Sequence, residues 1–166
     1  VAVIGQTNGG KAAALNTGIR HATGEVLFFV DADGIFTETT IANVLAGFND
    51  PRVGGVCGND EPSNLDRHQT RLLALLTHGP AFVRRALARL NFLTIVSGNI
   101  GAFRRSVIDE VGTFTEGFIG EDLELTWRGH RAGDRINFCT NALVYAEVHS
   151  TLGALGRRGV RGTGGV

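Results

Sequence analysis

Short apolar runs alternate with amphipathic stretches along this chain, and the alternation predicts strands separated by helices. The clearest apolar run forms the predicted strand Glu25–Val30. The clearest amphipathic stretch is the predicted helix Thr37–Phe48. The other predicted strands are 1–4, 53–59, 92–99, 136–138 and 142–148. The other predicted helices are 11–22, 65–90, 105–111 and 121–132. This order is typical of an α/β domain with a largely parallel sheet.

Two carboxylates separated by one residue follow the strand that ends at Val30. Asp31 and Asp33 lie in "VDADG", beyond the carboxyl end of that strand, where ligands of open α/β sheets gather. One interpretation is a simple turn, since Asp is common in turns. The other is a divalent cation, because Mg²⁺ typically uses one or two carboxylates together with substrate phosphates. The stretch alone leaves both open.

The segment "GQTNGGKA", Gly5 to Ala12, nearly matches the phosphate-binding loop GxxxxGK[ST]. Its last position needs a hydroxyl for the metal, and Ala12 has none. A P-loop-like nucleotide hydrolase is therefore an alternative prediction.

Composition fits one domain of ordinary globular type. The 166 residues carry 16 basic and 16 acidic side chains, so no net positive field marks a nucleic-acid binder. No apolar run approaches the roughly 18 residues that cross a bilayer. Two cysteines far apart indicate thiols in a reducing compartment. The sequence has no Met and opens inside the apolar run "VAVIG", so we expect an excerpt of a longer protein.

Five segments point together to one family: "NGGKAAALNTGI", "VDADG", "SGNIGAFRRSVIDEVGTF", "GEDLELTWRGHRAG" and "AEVHSTLGAL". In this order they resemble the family 2 glycosyltransferases, especially the membrane-bound processive synthases of cellulose, chitin, hyaluronan and poly-N-acetylglucosamine. The resemblance covers nearly the whole chain. It implies a GT-A fold, a Rossmann-like three-layer α/β sandwich with a mostly parallel sheet, incomplete at its N-terminus. The catalytic domain would span 1–152, followed by a Gly/Arg-rich tail over 153–166.

The resemblance also implies substrates and a location. The donor would be a nucleotide-sugar, in the first instance a UDP-sugar, and the acceptor a saccharide hydroxyl. The family members act at the cell membrane with the catalytic domain on the cytoplasmic side, so we expect membrane attachment through segments missing from this chain. Nucleic acid is not an expected partner. Alone, these 166 residues are expected to show little or no transfer.

Specific residues match the family's site. Asp31 and Asp33 match the DxD motif, whose carboxylates bind Mg²⁺ or Mn²⁺ bridging the donor diphosphate. Asn8 and Lys11 match the segment that lines the donor site, although Lys11 also suits a solvated helix start. Asp122 in "GED" matches the catalytic base of an inverting displacement. Its other interpretation is a carboxylate that interacts favourably with the helix dipole.

Neighbouring residues are predicted to play structural or accessory parts. Glu124 and Arg128 are spaced for an i, i+4 ion pair, and Trp127 is assigned to the core in preference to a sugar-stacking platform. Gly98 and Gly101 would let the backbone approach a sugar closely.

The tail departs from the family's QxxRW motif. Leu155 and Gly159 stand where the family has Gln and Trp, and only Arg158 matches. One interpretation of Arg158 is a contact to the diphosphate, and the other is a flexible basic tail. Processivity is therefore open, and so is a degenerate domain that binds nucleotide or saccharide without catalysis.

Overall fold

A computed structural model describes residues 2–63, 83–92 and 95–146 as an α/β fold. Its strands β1 to β5 are, in chain order, Val26–Phe29, Ile35–Phe36, Val53–Pro62, Gly101–Arg104 and Arg135–Ala146. Its helices α1 to α5 are Gly10–His21, Thr40–Ala46, residues 83–89, Arg105–Val111 and Glu121–Ala132. Of the described helices, none is long and apolar enough to cross a membrane.

The strands form one mixed sheet in the order β1-β4-β3-β5-β2. Only β3 and β5 pair in parallel, whereas β4 runs antiparallel to both β1 and β3, and β2 antiparallel to β5. The prediction of a mostly parallel sheet is therefore wrong for the described strands. Apolar periodicity shows which face of a strand is buried but carries no information about strand direction, so β4 could not be oriented from sequence.

Helices cover both faces of the sheet, as the three-layer prediction requires. On one face, α1, α4 and α5 pack through Ile19, Ile108 and Leu125 against a cluster that includes Phe103. On the other face, Val44 of α2 packs against a second cluster drawn mainly from β3, β4 and β5. Each fully buried side chain of this size stabilises the fold by about 1.5–3 kcal/mol, so the two clusters hold the sheet between its helices.

Two predicted strands are absent. Residues 2–9 have no regular structure, and Val3 is 96% exposed, so the predicted buried strand over 1–4 is wrong in its described part. Among the described residues of 92–99 there is no strand either, and the chain enters the sheet only at Gly101. The loop before Gly101 is held instead by hydrogen bonds to α5 and β3.

The other predicted elements are found with shifted limits, whereas β2 and β4 were not predicted. The strands predicted over 136–138 and 142–148 are one strand, β5, with a register irregularity opposite Cys57–Asn59 of β3. Helix α2 is shorter than predicted. Residues 83–89 lie within the predicted helix 65–90, whose residues 65–82 fall outside the described part of the chain.

Both cysteines are free thiols, as their spacing predicted. Cys57 is fully buried on β3, and this burial raises the pKa of its thiol to about 11. Such a thiol stays protonated at neutral pH and serves as a small apolar core residue.

Candidate active site

Four segments meet at a small cleft beyond the carboxyl end of β1. They are the start of α1, the turn after β1, the loop 95–99 and the start of α5. The floor of the cleft is apolar and includes Leu15, Phe29 and Phe114. Its polar lining includes Lys11 and Asp122, which come from the two helix starts. The fold therefore brings residues far apart in sequence to one place.

Helix α1 is locked to the segment that leads into α5 by a buried asparagine. Asn16 donates to the carbonyl of Phe114 at 2.9 Å and accepts from the amide of Phe114 at 2.9 Å. At the start of α1, the side-chain oxygen of Asn8 accepts a hydrogen bond from Gly10 at 3.1 Å. These hydrogen bonds fix the start of α1 and its position against the Phe114 segment. Lys11, in the first turn of α1, is therefore held facing the start of α5.

Lys11 connects the start of α1 to Asp31 in the turn after β1. Its ammonium lies 2.7 Å from Oδ1 of Asp31, in an ion pair whose side chains are about half and one-third exposed. The carboxylate of Asp31 thus already attracts a cation across the cleft.

Gly98 of the loop 95–99 lies beside both Lys11 and Asp122. A Cβ on Gly98 would sit 2.9 Å from the Lys11 ammonium and 3.7 Å from Oδ2 of Asp122. These two functional groups therefore face the same small space, and only a residue without a side chain leaves it open.

The loop 95–99 is held in this position by its neighbours. The amide of Val96 donates to the buried hydroxyl of Thr126 on α5 at 3.0 Å, and the amide of Ser97 donates to the sulfur of Cys57 at 3.5 Å. Close packing explains the glycine at position 101, because a Cβ there would lie 2.6 Å from the Val96 side chain and 2.7 Å from the Ser97 carbonyl oxygen. Both glycines that are predicted to admit a sugar line the cleft, but only Gly98 lies next to the Lys11 ammonium and the Asp122 carboxylate.

Asp122 lies in the first turn of α5. The chain enters this helix through Gly120 in the left-handed conformation, with φ at 86°. Oδ1 of Asp122 accepts a hydrogen bond from Leu123 at 2.8 Å, while Oδ2 is the oxygen near Gly98. The carboxylate is half-buried, so it is both oriented by the helix and accessible from the cleft.

Asp33 lies in a tight turn after β1. The amide of Gly34 donates to the carbonyl of Asp31 at 3.3 Å, which closes the turn over 31–34. Asp33 is exposed and makes no hydrogen bond or ion pair with the described residues. Nowhere in the described ranges do three or more His, Cys, Asp or Glu side chains cluster as metal ligands. A cation here would therefore use one or both carboxylates of the turn and take its other ligands from a bound molecule.

Sequence reasoning missed Asp60, a third carboxylate beside the turn. It lies near the carboxyl end of β3, in register with Val144 of β5, and Val144 packs against Gly34 of the turn. Desolvation by burial raises the pKa of Asp60, although Arg84 acts to lower it. The sequence did offer a signal for Asp60. In "GND", residues 58–60, an acidic residue follows a predicted strand, just as Asp31 follows the strand that ends at Val30.

The sequence model of the family described as "Glycosyltransferase like family 2" matches residues 1–165. The chain belongs to glycosyltransferase family 2. Curated relatives of this family 2 domain include poly-beta-1,6-N-acetyl-D-glucosamine synthase of Staphylococcus aureus strain COL, 32% identical over 161 residues. The same enzyme of Staphylococcus epidermidis is 29% identical over 161 residues. These alignments cover 94% of the domain and 38% of each relative.

A solved structure resembles the domain over most of its length. It is the mannosyltransferase PcManGT from Pyrobaculum calidifontis in complex with GDP-Man and Mn²⁺, with a TM-score of 0.68 and 26% identity. The superposition covers 90% of the domain and 40% of that chain. The GT-A fold expected from sequence is thereby confirmed.

These findings correct the alternative of a P-loop hydrolase. Residues 2–9 form no strand ahead of α1, and the Lys11 ammonium is paired with Asp31. The family 2 assignment accounts for the same "NGGKA" segment without a P-loop. The predicted diphosphate contact Arg158, the tail 153–166 and the divergent Leu155 and Gly159 lie outside the described residues.

Helix α5 confirms one structural prediction and overturns another. Arg128 and Glu124 form the predicted ion pair at 2.8 Å. Trp127, assigned to the core, is 57% exposed, because α5 buries the face that carries Leu125 and Thr126. Its indole therefore stands free of the described core.

Replacing Gly98 by alanine tests whether the space beside Lys11 and Asp122 matters. The new methyl group would push the flexible Lys11 side chain aside, so we expect the fold to survive while transfer falls about tenfold to a hundredfold. The melting temperature and kcat/KM of the full-length protein provide the measurements. Gly18→Ala is the matched control, because nothing lies within 4 Å of a Cβ at that helical position. Equal effects of both substitutions on transfer would argue against a functional space at Gly98.

Proposed function

We propose that this domain transfers a sugar from a UDP-sugar to a saccharide hydroxyl, with inversion at the anomeric carbon and with Mg²⁺ or Mn²⁺ as cofactor. The reaction would serve polysaccharide synthesis at the cytoplasmic face of a membrane. The chain spans 38% of the length of the curated synthases it matches, so the activity of the whole protein is part of this proposal.

One observation carries the proposal: Lys11 contacts Asp31 and, with Asp122, borders the space over Gly98. Carboxylates suited to a metal-bound diphosphate thus lie across a single cleft from a carboxylate suited to accept a proton. A direct displacement needs this arrangement, because the leaving phosphate and the attacking hydroxyl must lie on opposite sides of the sugar.

The residues at the turn fit the metal. Asp31 and Asp33 offer only hard oxygen ligands, and Asp33 is exposed. The ion pair between the Lys11 ammonium and Asp31 shows that the Asp31 carboxylate attracts a positive charge at this place. When bound, such a metal neutralises the charge that develops on the departing diphosphate. Lys11 contributes to the same charge neutralisation from the start of α1, and Asn8 orders that start.

Asp122 would take the proton of the acceptor hydroxyl. Its Oδ1 is held by the amide of Leu123, and Oδ2 remains directed to the space over Gly98. Positioned proton acceptors of this type accelerate reactions by about 10²–10⁴-fold. The orientation that Leu123 imposes keeps the basic oxygen on the cleft side.

The proposal is tested by transfer assays on the full-length protein in membranes. We expect labelled sugar from a UDP-sugar, drawn from a panel of UDP-N-acetylglucosamine, UDP-glucose and UDP-galactose, to enter a saccharide product. Chelation with EDTA should stop this incorporation and Mn²⁺ or Mg²⁺ should restore it. Incorporation from GDP-mannose alone, or incorporation that persists in EDTA, would contradict the donor or the metal requirement. Binding without turnover of any donor would favour the degenerate, non-catalytic alternative.

A further inference from the structure

The carboxylate of Asp60 has no part in the chemistry proposed above, yet it lies on the end of β3 that is hydrogen-bonded to the loop lining the cleft. The amide of Gly58 on β3 donates to the carbonyl of Ile100 at 3.0 Å, which holds this end of β3 against the segment that carries Gly98. Burial raises the pKa of Asp60, and Asn99 and Ser97 of that segment act to lower it. The negative charge of Asp31 is close enough to raise the pKa of Asp60 further. Asp60 is thus near the loop 95–99, and its register partner Val144 packs against Gly34 of the turn after β1.

The ion pair with Arg84 does not satisfy this carboxylate. The guanidinium of Arg84 approaches Oδ2 at 3.8 Å, which is too long for a hydrogen bond, and it also stacks over Phe138 at 5.5 Å. Oδ1 of Asp60 is buried and has no hydrogen-bond partner among the described residues. A buried acceptor without a partner is costly, so a residue kept for packing alone would be apolar here.

The chemistry of the site limits what Asp60 can bind. A phosphate would be repelled by the carboxylate. Within the described ranges no three acidic, His or Cys side chains gather as metal ligands, so Asp60 does not complete the metal site of the turn. A neutral group rich in hydroxyls suits the cluster best, because carboxylate and hydroxyl oxygens accept hydrogen bonds from hydroxyls and the Asn99 amide donates to them.

We propose that Asp60, together with Asn99 and Ser97, binds hydroxyl groups of the transferred sugar and sets the choice of donor sugar. The inference rests on the proposed function. The donor sugar is favoured over the acceptor because Val144, the register partner of Asp60, packs against Gly34 of the turn assigned to the diphosphate. Arg84 positions the carboxylate from α3 and limits the cost of its burial.

Calorimetric titration of the full-length protein with UDP, UDP-N-acetylglucosamine and UDP-N-acetylgalactosamine, all with Mn²⁺, tests this inference. The last two ligands differ only in the direction of one hydroxyl, and UDP lacks the sugar. In Asp60→Asn and Asp60→Ala we expect the affinity for UDP to be unchanged. The ratio of affinities for the two UDP-sugars should change about tenfold, since a site built around a hydroxyl discriminates strongly against its misplacement.

Asp109→Asn is the matched control. It removes the same charge from an exposed position on α4, which begins after Arg104, beside Val26 and so at the opposite end of β1 from Asp31. A uniform loss for all three ligands in the Asp60 variants would indicate a structural role, and an unchanged ratio would equally overturn the inference. Failure of the proposed function has a different signature: the wild-type protein would bind these ligands and transfer no sugar.

Discussion

Replacing Asp122 by asparagine should lower kcat for sugar transfer by about 10²–10⁴-fold, with donor affinity nearly unchanged. Asparagine keeps the shape of the side chain and the contact to Leu123 but cannot take a proton at neutral pH. The loss should therefore appear in the chemical step. Steady-state kinetics on the full-length protein, combined with titration of the UDP-sugar, separates the two quantities.

The neighbouring carboxylate supplies the control for this experiment. Glu121 lies in the same first turn of α5, so Glu121→Gln removes an equal charge from the positive end of the helix dipole. If Asp122 only stabilised the helix, both variants would lose similar stability and similar activity. A kcat that falls equally in both variants would therefore refute the assignment of Asp122 as base.

Removing the carboxylates of the turn after β1 should abolish the dependence of donor binding on metal. We expect Asp33→Ala to weaken binding of a UDP-sugar in Mn²⁺ by at least about tenfold, to the level that wild type shows in EDTA. Asp31→Ala should have a similar effect, and it also frees Lys11 from its ion pair. Calorimetric titration with and without Mn²⁺ measures both effects.

Asp109→Asn again provides a matched loss of charge, on the exposed surface of α4. It should retain the full stimulation by Mn²⁺. If Asp33→Ala kept that stimulation too, the metal would lie elsewhere and the assignment of the turn would be wrong.

The parts of this fold that local signals specify were predictable. Helix α1 follows its run of helix formers, although it ends at His21 and is capped by Ala22, ahead of the predicted stop at Gly24. Helix α5 ends as predicted before Gly133, whose φ of 101° favours a residue without a Cβ. The placement of Asp31 beyond β1 followed from one apolar run. Such features depend on a few consecutive residues and need no knowledge of distant contacts.

Features that depend on tertiary contacts were not predictable. The apolar run around Val96 reads as a strand, but its amide bonds to Thr126 on α5, and that contact fixes a loop. Trp127 is predicted to lie in the core in preference to a sugar-stacking platform, yet the helix buries its opposite face. At Val96 a contact across about thirty residues overrode the local preference, and at Trp127 the face on which α5 packs decides the exposure.

The candidate site shows the same division. Lys11, Asp31 and Asp122 came from matched motifs, and the structure brings them to one cleft. Asp60 stands in no matched segment, and only the packing of β3 against the turn and the loop 95–99 reveals it. Their catalytic and binding roles remain predictions for the experiments above.

The most direct test of the account is the anomalous diffraction of Mn²⁺ in crystals of the protein grown with a UDP-sugar. The account predicts a single strong peak within coordination distance of Asp33 or Asp31 and of the donor diphosphate, with the carboxylate of Asp122 facing the sugar from across the cleft. A manganese peak away from the turn after β1, or an Asp122 that does not face the bound sugar, would contradict it.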